Sequence, residues 1–365
     1  MSRAVELQIH DVAFGGKGVA RDGGKAVFVP FTIEGERITA RMTREKKQFA
    51  EAELIELLEP SPHRVAAPCP YFGRCGGCSY QHIDYAHQLE LKQKQVEQAM
   101  RRIARISDPP MRPIVPSPLS YLYRNRITVH AEDGVVGFFR RDVHRLMDIA
   151  ECPISMPEVN AALAELRATR PADGHYTLRA HSGPRVFAQT NDAVADAMAD
   201  FIESVLAGEE ELLVDGFCGA GFFTKRLAPK FQRVIGIDWD RFAIDAARKN
   251  ARPNETYIAG DAAVELRGVA AGVSPADSSS QRVRTPATTL IVDPPAVGLS
   301  AEMRRAILDS RPNTMIYVSC NPPTLARDLA ELQSRLNVIS ITPFDMFPQT
   351  AEIEVVVHLQ AAQAL

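Results

Sequence analysis

Cys320 stands in "YVSCNPPTLARDL", at the end of an apolar run and directly before Asn321 and two prolines. Asn321 is a good helix N-cap and Pro322 a good first helical residue, so the thiol is expected just outside a helix N-terminus, where the dipole favours a thiolate. Position alone leaves open both a packed thiol and a nucleophile. A second reactive group follows in "DMFPQTAEIEVVVHL". Glu354 reads as lying within an otherwise apolar strand, where a carboxylate is costly unless it is used. Glu352 on the same face keeps open a plainer reading, a strand with one wet end.

The remaining cysteines fall in a pattern. "PCPYFGRCGGCSY" places five residues between Cys69 and Cys75 and two between Cys75 and Cys78, and "ECPI" adds Cys152. In a reducing compartment such clustering points to metal ligands or catalytic groups rather than disulfides. Four thiolates satisfy either a tetrahedral zinc ion or a [4Fe-4S] cluster. Zinc sites usually assemble from two close pairs, so a triad with one distant partner favours iron-sulfur, with inert buried thiols as the third reading.

A third set is acidic. "LLVDGFCGAGFFT" is a strand ending in Asp215 and a glycine-rich turn; "RVIGID" ends in Asp238, "AGD" in Asp261 and "IVDPP" in Asp293. Asp238 is placed to hold ribose hydroxyls and Asp261 an adenine amino group. Acids on successive strand ends, with no diphosphate site, fit S-adenosylmethionine better than a nicotinamide dinucleotide, which would need the glycine turn to bind pyrophosphate. Together, cysteine, acid and methyl donor suggest methylation of a pyrimidine at carbon 5 through thiolate addition at carbon 6, with Cys320 adding and Glu354 removing the carbon 5 proton.

Such groups need elements to position them. From about residue 185 the chain alternates strand and helix, which implies a parallel sheet covered on both faces. The polar segment "VAAGVSPADSSSQRVRTPAT", residues 269–288, reads as a flexible insertion without chemistry. Residues 85–106 read as a helix with Leu89, Val96, Met100 and Ile103 on its apolar face and a basic opposite face. "YLYRNRITVHAEDGVVGFFRRDVHRLMDI" then reads as two or three strands turning at Asp133-Gly134. The first sixty residues read as short strands and glycine turns of a small antiparallel barrel. Within them, "GGKGVAR…VFVPFTIEGERI" resembles a TRAM domain, which implies an OB-like RNA-binding barrel.

Composition sets the outer limits. With 45% hydrophobic and 24% charged residues the chain is an ordinary globular protein. No signal peptide or membrane span is legible, so a cytoplasmic protein that does not bind membranes is expected. A net charge of −3 excludes a generally basic nucleic-acid binder. Residues 85–145 nevertheless carry eleven Lys or Arg against six Asp or Glu, a local patch or simply a solvated face.

Taken together, the chain resembles the RNA uracil-5-methyltransferases, closest to the bacterial 23S ribosomal RNA enzymes with a TRAM barrel and a [4Fe-4S] cluster. The matching elements are the four cysteines, "FAQTN" with Gln189, "DGFCGAG", "DPP", "SCNP" and "DMFPQT" leading to Glu354. The resemblance implies three regions: a TRAM-like barrel over 1–60, a cluster-bearing RNA-binding region over 61–184, and a Rossmann-like α/β methyltransferase domain over 185–365. It implies Cys320 and Glu354 as catalytic, Gln189, Phe217, Asp238, Asp261 and Asp293 around cofactor and base, and Cys69, Cys75, Cys78 and Cys152 as cluster ligands. A monomer acting on ribosomal or transfer RNA is expected, with the target base flipped and the barrel, the basic helix, Arg124 and Arg126 holding the backbone. Three departures stand out: Phe222 where the family usually has Asn, Asp238 where Glu is usual, and only 36 residues between Cys152 and Gln189, a trimmed central region. An RNA cytosine-5-methyltransferase and a non-catalytic RNA-binding iron-sulfur protein are the competing readings.

Overall fold

The computed structural model describes residues 3–143, 145–181, 189–206, 210–270 and 288–362. Most of the insertion read as flexible lies outside them, as does much of the segment leading into Gln189.

Six strands open the chain: β1 (Ala4–Gln8), β2 (Asp11–Val12), β3 (Lys17–Asp22), β4 (Lys25–Pro30), β5 (Arg37–Glu45) and β6 (Phe49–Glu59). They form one sheet in the order β1-β5-β6-β4-β3-β2. Alternation along β5 puts Ile38, Ala40 and Met42 inward, where they join Val27, Val29 and Ala50 in a small core. Gly18 in β3 is required by space, since a Cβ there would meet Thr32 Oγ1 at 2.0 Å. Glu36, fully buried, accepts from Arg64 Nη2 at 2.8 Å and from the Ile33 amide at 2.9 Å, tying the barrel to the segment that follows.

Helix α1 (Tyr85–Arg102) begins at Asp84, whose side chain accepts from the His87 amide. Its buried face differs from the expected one: Leu91, Val96 and Met100 are joined by His87, Gln88, Lys92 and Gln95, while Ile103 is exposed. The polar members are buried because each meets a partner, chiefly from residues 345–349. Lys92 Nζ pairs with Asp345 Oδ1 at 2.5 Å, both side chains fully buried, and also donates to the Phe347 carbonyl. The basic patch is correspondingly smaller than a residue count gives, because Lys94 pairs with Asp11 of the barrel and Arg101 with Glu97. Replacing Lys92 by Met should destabilise the fold by about 3–5 kcal/mol, because Asp345 would be left buried and uncompensated. Denaturant unfolding checks this; a loss below 1 kcal/mol, roughly, would mean the pair is dispensable.

A second sheet, of order β10-β7-β8-β9, is built from β7 (Arg126–Glu132), β8 (Val135–Phe139), β9 (Leu146–Asp148) and β10 (Gly174–Arg179), with α2 (Pro157–Ala168) packed on it. The expected turn is present, with φ of +50° at Asp133 and +78° at Gly134, the left-handed pair a tight hairpin needs.

The C-terminal half contains α3 (Asp192–Val205), β11 (Glu210–Gly216), α4 (Phe222–Leu227), β12 (Phe231–Asp238), α5 (Arg241–Arg248), β13 (Glu255–Ala259), α6 (Ala262–Ala270), β14 (Thr288–Val292), α7 (Ala301–Ser310), β15 (Thr314–Ser319), α8 (Pro322–Leu332), β16 (Leu336–Phe344) and β17 (Glu354–Ala361). These strands make one sheet, β13-β12-β11-β14-β15-β17-β16, parallel except for β17, which runs antiparallel to both neighbours. Strands buried on both faces explain the continuous runs "LLV", "TLIV" and "MIYV". One face packs on α1, α6, α7 and α8, the other on α3 and α4. No described helix is long and apolar enough to cross a membrane.

Candidate active site

In a doubly wound sheet the strand order reverses at the first strand, and the crevice beyond the carboxyl ends of the strands at that point takes the ligand. Here the reversal lies between β11 and β14. Asp215, Asp238, Asp261, Asp293 and Cys320 all sit at that edge, because each lies within two residues of the carboxyl end of a parallel strand. Glu354 arrives from the other direction. Since β17 is antiparallel, its first residues lie at the carboxyl edge, and the register Ser319↔Val355 sets Glu354 beside Cys320. Glu354 is therefore the first residue of its strand rather than an interior one, and Glu352 lies outside the strand, exposed.

Asn321 caps α8 as expected, its side chain accepting from the Thr324 amide at 3.3 Å. The expected thiolate-favouring field is outweighed, however. Burial, and then the carboxylates of Glu354 and Asp293, push the Cys320 thiol up to about 12. Glu354 is itself held well above the ordinary carboxylate range by burial, then by Asp293 and Glu352, and its Oε2 is buried without a hydrogen-bond partner. Asp293 is raised by burial and by Asp215. Asp215, raised to about 7 mainly by burial, accepts from the Thr224 hydroxyl, while its Oδ1 is buried without a partner. Glu354 and Asp293 beside the thiol, with Asp215 acting on Asp293, make a site in which a positive charge is welcome.

The turn after β11 is shaped for close approach by a ligand. Phe217, Gly219 and Gly221 all have positive φ, at +73°, +54° and +86°. Phe217 is not glycine, so it holds backbone strain at this turn. Its amide donates to the Ile237 carbonyl at 2.8 Å, and the Gly219 amide to Asp238 Oδ2 at 2.8 Å. A Cβ at Gly219 would meet nothing within 4 Å, so the space above the turn is open. Asp238 accepts also from the Asp240 amide, so its carboxylate is fixed in place. Asp261 is exposed and caps α6 through the Ala263 and Val264 amides. Phe222, where Asn is usual, opens α4 half-exposed with its ring edge-on to Phe223.

Gln189 precedes α3, half-buried, with its carbonyl accepting from Asn125 Nδ2 at 3.0 Å. It adjoins the central sheet through this bond. The cysteines form a separate centre. Cys69, Cys75, Cys78 and Cys152 line one cavity of about 430 Å³, shared with Gln81, Arg124, Arg126 and Arg179. The Cys69 amide donates to Gln81, and Asn160 holds Cys152 by bonds to both its amide and its carbonyl. No three Cys, His, Asp or Glu side chains among the described residues are grouped tightly enough for a single ion. The four thiols share the lining of that one cavity.

Two features of the site were not found from the sequence. Asp215 was read as one of the strand-end acids, but its unpartnered buried oxygen and its effect on Asp293 were not foreseen. The supports of "FPQT" were missed altogether, because they come from Gln88, Lys92 and Tyr123, more than 220 positions away.

The open α/β sheet and its edge of acids define a methyltransferase-type domain. Residues 172–362 match the tRNA (uracil-5-)-methyltransferase family and residues 3–55 the TRAM domain. The chain belongs to the tRNA (uracil-5-)-methyltransferase family and is an RNA (uracil-5-)-methyltransferase. It is 30% identical to an uncharacterised RNA methyltransferase of Bdellovibrio bacteriovorus, over 98% of this chain and 95% of the relative. It is also 30% identical to one of Halalkalibacterium halodurans, over 98% and 96%. In structure it is similar to a Pyrococcus abyssi tRNA (uracil-54, C5)-methyltransferase in complex with S-adenosyl-L-homocysteine, with a TM-score of 0.71, 24% identity and coverage of 97% of this chain and all of the other.

Proposed function

We propose that this enzyme methylates carbon 5 of a specific uridine, in ribosomal RNA, through a covalent adduct between Cys320 and carbon 6. The observation that carries the reading is the pairing Ser319↔Val355, which sets Glu354 beside Cys320 at the edge where a methyl donor would lie. Carbon 5 of uracil is too weak a nucleophile to take a methyl group unaided. Cys320 gives its proton to solvent and its sulfur bonds to carbon 6, moving the ring electrons onto oxygen 4 as an enolate. S-adenosylmethionine, when bound, would supply an electrophilic methyl group to carbon 5 and leave as S-adenosylhomocysteine. Glu354 then removes the carbon 5 proton, the double bond re-forms and the cysteine sulfur leaves. The positive sulfonium is complementary to the three acids, and its arrival favours ionisation of the thiol.

Gln189, Phe217, Asp238, Asp261 and Asp293 would surround cofactor and base. The open turn at Gly219, the fixed Asp238 carboxylate and the orphaned Asp215 oxygen support a polar ligand there. The chain would act as a monomer, divided as 1–60 barrel, 61–184 cluster region and 185–365 catalytic domain. Transfer RNA is the second reading for the substrate, favoured by the family description and by the substrate named for the Pyrococcus abyssi protein. RNA containing 5-fluorouridine, incubated with methyl donor, should be trapped as a denaturation-resistant complex, since fluorine cannot leave as a proton does. No complex would overturn the mechanism. Mapping 5-methyluridine in ribosomal and transfer RNA with and without the gene decides the substrate.

Cys69, Cys75, Cys78 and Cys152 would hold a [4Fe-4S] cluster whose part is to fix structure. Protein purified without oxygen should be brown, absorb near 400 nm, roughly, and contain about four irons per chain. Stoichiometric zinc in a colourless protein would overturn that assignment.

A further inference from the structure

Immediately after Cys78, two residues turn toward the loop that delivers Glu354. The Ser79 and Tyr80 amides both donate to the Gln349 carbonyl, at 3.1 and 3.0 Å, and the Ala351 amide donates to Ser79 Oγ at 3.0 Å. Gln349 is buried with φ of +68°, a conformation a non-glycine residue holds only when its surroundings impose it. From the other side Gln88 clamps the same residue, giving Nε2 to Gln349 Oε1 and taking the Gln349 amide on its Oε1, both at 3.0 Å. Tyr123 adds a bond from its hydroxyl to the Pro348 carbonyl at 2.9 Å. Residues 348–351 are thus a strained segment held by three different parts of the chain, and three residues later Glu354 begins its strand.

We infer that Ser79 is a positioning residue for the general base, and that the loop carrying Cys78 couples the order of the cysteine cavity to the placement of Glu354. The Ser79 hydroxyl holds the Ala351 amide while the Ala351 side chain packs among Val12, Ile33, Tyr80 and Leu91, so Ser79 supplies the polar part of the contact that sets where the chain enters β17. A base displaced by a fraction of an ångström loses proton-transfer efficiency while nucleophile and donor are untouched. The inference rests on the reaction proposed above.

The test uses the full-length enzyme with ordinary uridine-containing RNA and methyl donor. With a weakened base, addition and methyl transfer proceed but elimination lags, so a methylated enzyme–RNA adduct accumulates. Ser79→Ala should show such an adduct with turnover down about tenfold or more and an RNA KM changed less than about threefold; Ser79→Thr, which keeps the hydroxyl, should turn over nearly normally. Glu354→Gln is the control. If it accumulates adduct and Ser79→Ala does not, the coupling is wrong and the mechanism stands; if neither does, the mechanism falls and the inference with it. A second measurement needs no turnover. Amide exchange at residues 349–353 should quicken in Cys78→Ser relative to wild type, while strands of the barrel are unchanged. Exchange that stays the same would overturn the link to the cysteine cavity.

Discussion

Cys320→Ala should abolish methyl transfer to RNA, with kcat reduced roughly 10⁴-fold or more and with no trapped 5-fluorouridine complex, while cofactor still binds. The reason lies in the chemistry of carbon 5, which gains nucleophilicity only after carbon 6 has been attacked. Nothing else in the site replaces that step, since the neighbouring groups are carboxylates. The side chain is also a small one at a strand end, so its loss should cost little stability, and thermal unfolding separates the two effects. The pH dependence of the wild type carries the same information. A thiol held at about 12 by burial and by Glu354 and Asp293 presents more thiolate as pH rises. Glu354, held above its usual range, must likewise lose its proton to act as a base. Addition needs the thiolate and elimination needs the ionised base, so single-turnover adduct formation should climb with pH, by about tenfold per unit where thiolate is limiting, and breakdown of the adduct should quicken as Glu354 loses its proton. Adduct formation fastest near pH 5 would contradict the assignment of Cys320. Adduct formation that persists in Cys320→Ala would move the nucleophile elsewhere.

Much of this site could be read from the chain because its parts are local. Cys320, Asn321 and Pro322 are consecutive, and a strand end followed by a cap and proline specifies its own geometry. The acids at 215, 238, 261 and 293 were legible for the same reason, since every parallel strand ends at one edge whatever the distant contacts do. The reactivity of Cys320 was less legible. The dipole argument gave the direction of one local effect, while the shift is dominated by burial and two carboxylates brought in from β14 and β17. The polar face of α1 was illegible for a related reason. A helix with Gln88, Lys92 and Gln95 along one side looks solvated until their partners at Asp345, Phe347, Gln349 and the barrel are known. Local period describes what a helix needs to bury; long-range pairing decides whether polar groups are buried with it.

Glu354→Gln should separate the two halves of the reaction. The amide keeps the size of the side chain and relieves the repulsion with Asp293, so the fold should be no less stable than wild type, and addition of Cys320 should not be slowed. What would be lost, on the proposed roles, is the group that takes the carbon 5 proton, and a positioned general base contributes about 10²- to 10⁴-fold. Turnover should fall by that factor while a covalent complex with ordinary uridine RNA accumulates, its base already methylated. The antiparallel run of β17 matters here, because it puts the first residue of that strand, Glu354, rather than its last at the carboxyl edge beside β15. Asp293 is the alternative base, since it too is raised and near the thiol. If Asp293→Asn accumulates methylated adduct and Glu354→Gln turns over normally, the roles are exchanged: β17 would supply the charge that tunes the thiol, and β14 the base.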